Sequence, residues 1–508
     1  MTWNIFRVSL VAISLLNFYS ATGQDYTESA LLFGRTKPSG SARILGLGGS
    51  QTALGGDYSS ALSNPAGLGI YNRAEFTFSL GYTDHQSTAS YYGNKTDDNR
   101  SIFNIPGFSY VWYLPNKNEN FISGSVGVSF SRVNDFNRSI TYQGSNQNKS
   151  IIDYFIEQSN GFTTDQFEPG EYHYNTPTGL GYQNYLIGPI STFDPEGPDD
   201  LYFTFAPLPI RQQEMEEILV KGATNQWSIS YGGNVKDKFF FGGGVGITSL
   251  RYESQKNYFE SFDSTTVESL HLVENLNIRG TGVNATIGAI VRPTSSLQLG
   301  ISYVTPTFFG LTETYDASMS TRWMNFDYYN DGSQILGDNS DQPIATDIVT
   351  SEYNLTIPMK LRGGIAFITQ YGFITGDVEY TNPSKSKYKS DISGISFTEN
   401  NENIRSVYEP VINYRIGAEF RKDIFRVRAG YGVQGNTFTE SIDADNTITS
   451  ISGGLGLRLK TFYVDLALVH SSSKEYHYQP YSFSDGSGPV VGLKDKTING
   501  LITVGFTF

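Results

Sequence analysis

The sequence predicts an all-β protein: a transmembrane antiparallel up-and-down β-barrel of 14 strands, with an N-terminal plug in its lumen and long loops at one end. Three observations predict it. Short stretches with apolar residues at alternate positions recur along the chain. The connections between them alternate between very short and long. An apolar, glycine-rich segment near the N-terminus fits neither linker, long helix nor strand.

The strands are expected at 75–83, 104–113, 120–133, 225–235, 238–252, 277–291, 296–306, 357–369, 371–381, 411–421, 423–433, 447–459, 462–473 and 497–508. Tight turns such as Lys236-Asp237, Gln370, Lys422 and Lys460-Thr461 close one end, and long polar segments cover the other. Outer-membrane barrels show this asymmetry and an even strand number; a soluble sandwich has no reason to sort its loops this way.

Within strands the alternation separates lipid from water. Ile412, Tyr414, Ile416, Ala418 and Phe420 share one face, and Asn413, Arg415, Gly417 and Glu419 the other. Phe425, Val427, Ala429 and Tyr431 repeat the apolar face in the next strand, opposite Arg426, Arg428 and Gly430. A charge facing lipid at the midplane costs roughly 2–4 kcal/mol, so these charges are assigned to the lumen. The last strand puts Ile502, Val504, Phe506 and Phe508 outside, and its terminal Phe resembles the signal read by the barrel assembly machinery during biogenesis.

Composition agrees. Tyr and Phe number 34 each, Gly 53, and only 38% of residues are hydrophobic, as suits a wall that needs apolar side chains at every second position. A net charge of −14 leaves no basic stripe for nucleic acid. Without cysteine there is no disulfide and no thiol chemistry. Arg7, the apolar run 8–16 and Ala21-Thr22-Gly23 read as a signal peptide spanning 1–23, with Gln24 as the mature start. The plug is expected within 24–74 and the barrel within 75–508.

The plug segment runs from Gly40 to Tyr71. Its small residues let the backbone pass close to a wall, and Asn64-Pro65 fixes one bend. Gly40-Ser-Ala-Arg-Ile-Leu-Gly-Leu-Gly-Gly49, followed by Asn64-Pro-Ala-Gly-Leu68, resembles the N-terminal hatch of the FadL/TodX family of outer-membrane transporters, with Ser41 inserted before Ala42-Arg43. The resemblance implies passive uptake of hydrophobic small molecules, such as long-chain fatty acids or hydrocarbons, through a gated lumen in the bacterial outer membrane. It implies a hatch in which Arg43, Gly46, Gly48, Gly49, Asp57, Asn64, Pro65, Ala66 and Gly67 act, with Asn64 to Gly67 shifting when ligand binds. Implied partners are a hydrophobic ligand and outer-membrane lipid, with no cofactor and no nucleic acid.

Inward charges of both signs gather on neighbouring strands: Lys360, Arg362, Asp377, Glu379, Arg415, Glu419, Arg426, Arg428, Arg458 and Asp465. Two readings are open. They grip the plug through Asp57 and Arg43, or they pair only with each other and set barrel geometry. Gly124 and Gly127 in the third strand weaken it locally, and the resemblance implies a kink there that opens the wall sideways into the membrane.

The connection 134–224 is too long to be structureless and is expected to fold over the mouth, with a helix at 210–221. The family enlarges its third and fourth outer loops, whereas this chain enlarges the second. Phe308, Phe309, Leu311, Trp323 and Phe326 read either as a ligand entry or as an aromatic girdle at the membrane surface. The clusters at 327–332 and 443–446 lack the closing Glu of a calcium loop and read as solvated tips, so no metal is assigned. Asn94 and Asn137 match glycosylation sequons by chance in this setting. The five histidines show no metal-ligand spacing and no Gly-x-Ser-x-Gly elbow occurs, so the chain is read as a non-enzyme. The alternative function is a PorV-like barrel whose outer loops bind protein partners of a secretion machinery; a haem receptor is disfavoured by the sparse histidines.

Overall fold

The computed structural model describes residues 26–116, 120–194, 196–206, 212–392, 395–442 and 444–508; the expected signal peptide, Ile210 and Asp443 lie outside them. Alternation builds 14 barrel strands, labelled in chain order β1 (Glu75–Tyr91), β2 (Asn94–Pro115), β3 (Phe121–Asp135), β4 (Gln212–Val235), β5 (Phe239–Ser261) and β6 (Val267–Thr294). There follow β7 (Leu297–Val304, continued by Thr307–Asp327), β8 (Val349–Ile357, continued by Lys360–Thr369), β9 (Gly372–Thr381), β10 (Val411–Lys422) and β11 (Phe425–Gln434). The last three are β12 (Ile448–Arg458), β13 (Phe462–Ser473) and β14 (Val491–Thr507). Every strand pairs antiparallel with its chain neighbours, and β14 pairs back onto β1 from Glu75↔Thr507 to Ser90↔Gly492, which closes the barrel.

The short turns lie at one end, apart from the two-residue Tyr92-Gly93 turn that joins β1 to β2 at the other. Lys236 and Asp237 both have φ near +55°, the conformation a two-residue hairpin needs to match strand twist. At that end the outward faces form an apolar belt that includes Leu80, Ile229, Ile287, Ile365, Ile416, Leu455 and Leu466, all exposed. On a closed barrel such a belt faces lipid, since no open edge remains to satisfy. Beyond the belt several strands run on well past the expected limits: β1 to Tyr91, β4 back to Gln212, β5 to Ser261.

From Gln212 onward the helix expected at 210–221 is instead the outer half of β4, with Glu214, Glu216, Ile218 and Val220 buried at alternate positions. Its inward carboxylates accept from tyrosines across the lumen, Glu214 from Tyr91 and Tyr481 and Glu216 from Tyr478, and β5 supplies a continuous ladder from Gln213↔Ser261 onward. The strand Arg138–Asn146 covers its other edge.

The rest of the long loop does fold over the mouth. It forms α4 (Ile151–Ser159), α5 (Pro177–Gln183) and a short ribbon pairing Gly188 with Phe203. Ile152, Phe155, Leu180 and Leu186 join one apolar cluster with Leu272, Met319 and Trp323 from the inner faces of the strands, so this cap is packed into the upper barrel.

The N-terminal segment enters from above. Helix α1 (Tyr26–Gly34) packs in that upper cluster through Tyr26, Ala30 and Phe33. The chain then descends to α2 (Ala42–Leu45), α3 (Ser60–Ser63) and a 3-10 helix, Pro65–Ile70, which together form a plug at belt height.

Candidate functional site

The wall meets the plug at a ring of glycines. Gly232, Gly242, Gly288, Gly300, Gly364, Gly417, Gly430 and Gly454 point inward from eight strands, and Gly232↔Gly242↔Gly288, Gly300↔Gly364 and Gly417↔Gly430 are direct cross-strand partners. A side-chain carbon on Gly364 would stand 2.8 Å from Cβ of Thr52, and one on Gly417 would stand 2.8 Å from Cβ of Leu47. Only hydrogen fits between wall and plug, because the backbones themselves are in contact.

Polar contacts fix the plug inside this socket. Asp377 Oδ2 accepts from the Gln51 and Thr52 N–H groups at 2.7 and 2.8 Å and from the Thr52 hydroxyl at 2.8 Å. Arg43 donates to the Gly55 and Gly56 carbonyls and stands 3.9 Å from Glu419. Asp57 works within the plug, accepting from Ser41, from the Ser59 N–H and from the Ser59 hydroxyl. Asn64 caps the 3-10 helix through Ala66 N–H, and its amide donates to Thr52 O at 2.7 Å. Pro65 begins that helix, Ala66 packs on Phe240 and Ile290, and Gly67 accepts from Gly56 N–H. Gly48 and Gly49 have φ of +68° and +82°, and Gly46 faces Gly454.

Both readings of the lumen charges therefore describe part of the structure. Glu379 takes Arg362 at 2.5 Å and Arg415 at 3.1 Å, while the fully buried Arg428 side chain bridges Glu419 at 2.6 Å and Asp465 at 2.7 Å. Arg458 stands farther from Asp465, at 3.9 Å, and over the Tyr463 ring. Lys360 donates to Gly34 O and Thr36 of the descending segment. Arg426 does not join: it donates to the Asp423 and Phe425 carbonyls at a short turn, where the lumen ends.

Above the plug, beside α1 and walled by the inner faces of strands that include β1, β3, β5 and β12–β14, lies a cavity of about 700 Å³, within the range of small-molecule sites. Leu31, Leu32, Leu45, Phe136, Ile140, Val220, Tyr252 and Leu276 give it an apolar lining, and Arg35, Lys37, His85, Asp135, Arg138 and Asp495 bring charge to it. Most of these charges are answered: Arg138 and Ser87 reach Asp495 through Tyr476 and directly, and Asp135 holds Arg132 at 2.9 Å. Arg35 and Lys37 form no salt bridge among the described residues; Asp445 for Arg35, and Asp135 and Asp495 for Lys37, act on them from beyond salt-bridge distance. Arg35 Nε donates to Gln434 and its Nη2 is buried without a hydrogen-bond partner among the described residues. Lys37 Nζ reaches only the Asp135 carbonyl, at 3.5 Å. Burial pushes the Arg35 guanidinium down to about 10 and lowers Lys37 as well. Both residues were missed in the sequence, where nothing marks a cation on an N-terminal segment as lumenal.

The wall beside the cavity contains a seam. β2 and β3 pair only from Pro115↔Ser123 to Gly107↔Ser131; above that, β2 stays with β1, and β3 stays with β4 to Asp135. Pro106 stands at the parting, where it has no N–H to give a ladder. At Gly124 and Gly127 themselves β3 is paired continuously on both sides, with Tyr231 and Leu68 against the two glycines, and its register shifts fall at Phe121/Ser123 and Arg132/Asn134. The parting of the wall thus lies outward of the expected positions. The end of β3 turns inward, where Asn134 donates to the Leu32 and Arg35 carbonyls and Asp135 stands 3.5 Å from His85.

The five expected entry residues are separated. Phe308 faces lipid, as the girdle reading has it, while Phe309 and Leu311 are buried in the wall's inner face. Trp323 and Phe326 stack at 5.6 Å, and the Trp323 indole donates to Asn184 O, which fastens the cap. A loop residue's neighbours are decided by the cap folded onto it, so alternation alone could not sort these five.

Compared by sequence, the chain matches no family profile and no curated protein. Compared by structure, it is similar to a Pseudomonas aeruginosa FadL homologue with a TM-score of 0.57 at 14% identity, over 94% of this chain and 100% of that one. The Ralstonia pickettii toluene transporter TbuX and the P. putida toluene transporter TodX each align with a TM-score of 0.49, at 14% and 11% identity, over 93% of this chain and 99% of theirs. The chain therefore carries the fold of the FadL-type outer-membrane β-barrels, a closed 14-strand wall around an N-terminal plug.

Proposed function

We propose that this barrel takes up hydrophobic molecules bearing an anionic end, such as long-chain carboxylates, from outside the cell. The observation that carries this reading is the 700 Å³ cavity, lined in large part by apolar side chains and bordered by two desolvated cations, Arg35 and Lys37, that form no salt bridge among the described residues. An apolar tail gains about 25 cal/mol per Å² on leaving water, and a carboxylate gains charge-assisted hydrogen bonds from the two cations. The glycine socket holds the plug too tightly for wholesale expulsion to be the route onward. The β2–β3 seam, beside Asn134 and Asp135 of the cavity lining, offers a lateral exit in which the tail stays out of water.

The test compares a C16 carboxylate with the matched C16 alcohol on purified protein. The carboxylate is expected to bind at least tenfold more tightly, and Arg35→Ala with Lys37→Ala to erase the difference. Equal affinity for acid and alcohol in the unaltered protein would sink the anionic half of the proposal; no binding of either would sink the uptake reading.

A further inference from the structure

Above the belt, two wall carboxylates face each other directly. Glu214 of β4 and Glu260 of β5 are cross-strand partners, 1% and 0% exposed. Each holds part of the cover. Glu214 accepts from the Tyr481 hydroxyl of the β13–β14 loop at 2.9 Å, from Asn146 at 3.1 Å, and from Tyr91. Glu260 accepts from the Ile151 N–H at 3.3 Å, at the start of α4, and from Tyr258 at 3.4 Å. The first helix of the cap is thus seated, by its N-terminus, on one member of an acid pair.

We propose that Glu214 and Glu260 share a proton and so latch the cap over the barrel mouth, closed in neutral or acidic medium and released in alkaline medium. Directly opposed carboxylates out of water cannot both ionise without strong repulsion, so the closed state requires at least one proton between them. The surrounding charges do not relieve this. Glu216, two residues along β4, adds negative charge and faces Lys256, Tyr142 and Tyr478, with Glu274 beyond. Lys149 directs its ammonium to Ser487 Oγ and over the Phe483 ring, and Asp153 of α4 accepts from the Ser150 N–H.

Burial pushes the Glu214 carboxyl up to about 8 against the lowering pull of the Tyr481 and Tyr258 hydroxyls. Burial and then the Glu214 charge hold Glu260 well above the carboxylate range. An acid raised in the closed state costs that state nothing below the ordinary carboxyl range, progressively more as the pH climbs from there to the raised value, and a constant amount beyond it. Closure therefore weakens as the pH approaches 8 through Glu214, and Glu260 extends the weakening as far as its own raised range.

The chain contains no cysteine, so spin labels at Glu171→Cys on the cap and Lys221→Cys on β4 report the cap's distance from the wall. In otherwise unaltered, ligand-free protein, the ratio of open to closed populations is expected to rise at least tenfold between pH 7 and pH 9.5. In Glu214→Gln and in Glu260→Gln, where one buried carboxyl still ionises but no second charge can form, the rise should shrink, and with both substitutions the ratio should change less than twofold. A ratio that stays constant between pH 7 and pH 9.5 with both carboxyls in place overturns the latch. So does a rise that persists unchanged in both Gln variants. Because no ligand is present, neither result depends on whether Arg35 and Lys37 bind a carboxylate.

Discussion

Asp377 in the wall and Thr52 in the plug meet twice, one carboxylate oxygen accepting both the backbone N–H and the hydroxyl of the same residue at 2.8 Å. With the Gln51 N–H, three donors converge on one oxygen, so the plug's central turn is tied to β9 by charge-assisted bonds. Replacing Asp377 with Ala leaves those buried donors unpaired, at about 1–3 kcal/mol each before relaxation. The plug, not the barrel, should loosen: protease cleavage within 41–71 is expected to accelerate while the heat-modifiable mobility of the folded barrel on gels is retained.

The glycine ring makes a steric prediction of its own. A methyl at Gly242 would press into the Pro65 and Ala66 backbone, which has no flexible end to move aside. Overpacking of this kind costs roughly 1–3 kcal/mol. Gly242→Ala should raise ion conductance in a planar bilayer as the plug is displaced, whereas Ala at Gly243, whose nearest neighbours stand 3.7 and 3.8 Å away, should leave conductance unchanged.

Arg428 holds the wall rather than the plug. Its side chain is fully buried between Glu419 and Asp465, themselves almost fully buried. Arg428→Met leaves the buried Asp465 with only Arg458 at 3.9 Å among the described residues, while Glu419 keeps Arg421 at 2.7 Å; breaking a buried pair in this way costs about 3–5 kcal/mol. Thermal unfolding of the barrel should shift to lower temperature; Asp465→Asn, which keeps a partner oxygen for Arg428, should shift it less.

The end of β3 should respond to acid. Burial holds the His85 imidazole below its ordinary value, although Asp135 pulls the other way. A base depressed in the packed state adds stability at pH above its free value of 6.5, and that stability is lost as the pH falls toward the depressed value. Amide exchange at 134–137, corrected for the intrinsic effect of pH, is expected to be faster at pH 5 than at pH 7.5. His85→Gln should remove the difference.

Where alternation is forced by lipid on one side and water on the other, the sequence alone determined the outcome. Ile412 to Phe420 and Phe425 to Tyr431 form strands because each inward Arg or Glu is flanked by residues that must meet hydrocarbon, a constraint local to the segment. The same logic placed all 14 strands and the short turns. It failed above the belt, where both faces of a strand meet polar surroundings: Gln212 to Val220 carries isoleucine, leucine and valine among glutamates, and only its ladders with Arg138–Asn146 and β5 make it a strand.

Tertiary structure decided what spans the lumen. Asp377 and Thr52 are 325 residues apart, and Glu214 and Tyr481 are 267 apart. Nothing local to either residue selects the other; closure of the barrel around the plug does. The glycine ring shows the same division. One inward glycine per strand is visible in the sequence at Gly242, Gly288, Gly364 and Gly417, yet its meaning, a bare backbone face against another backbone, arises only when eight strands bring those positions to one height around Thr52, Leu47 and Pro65.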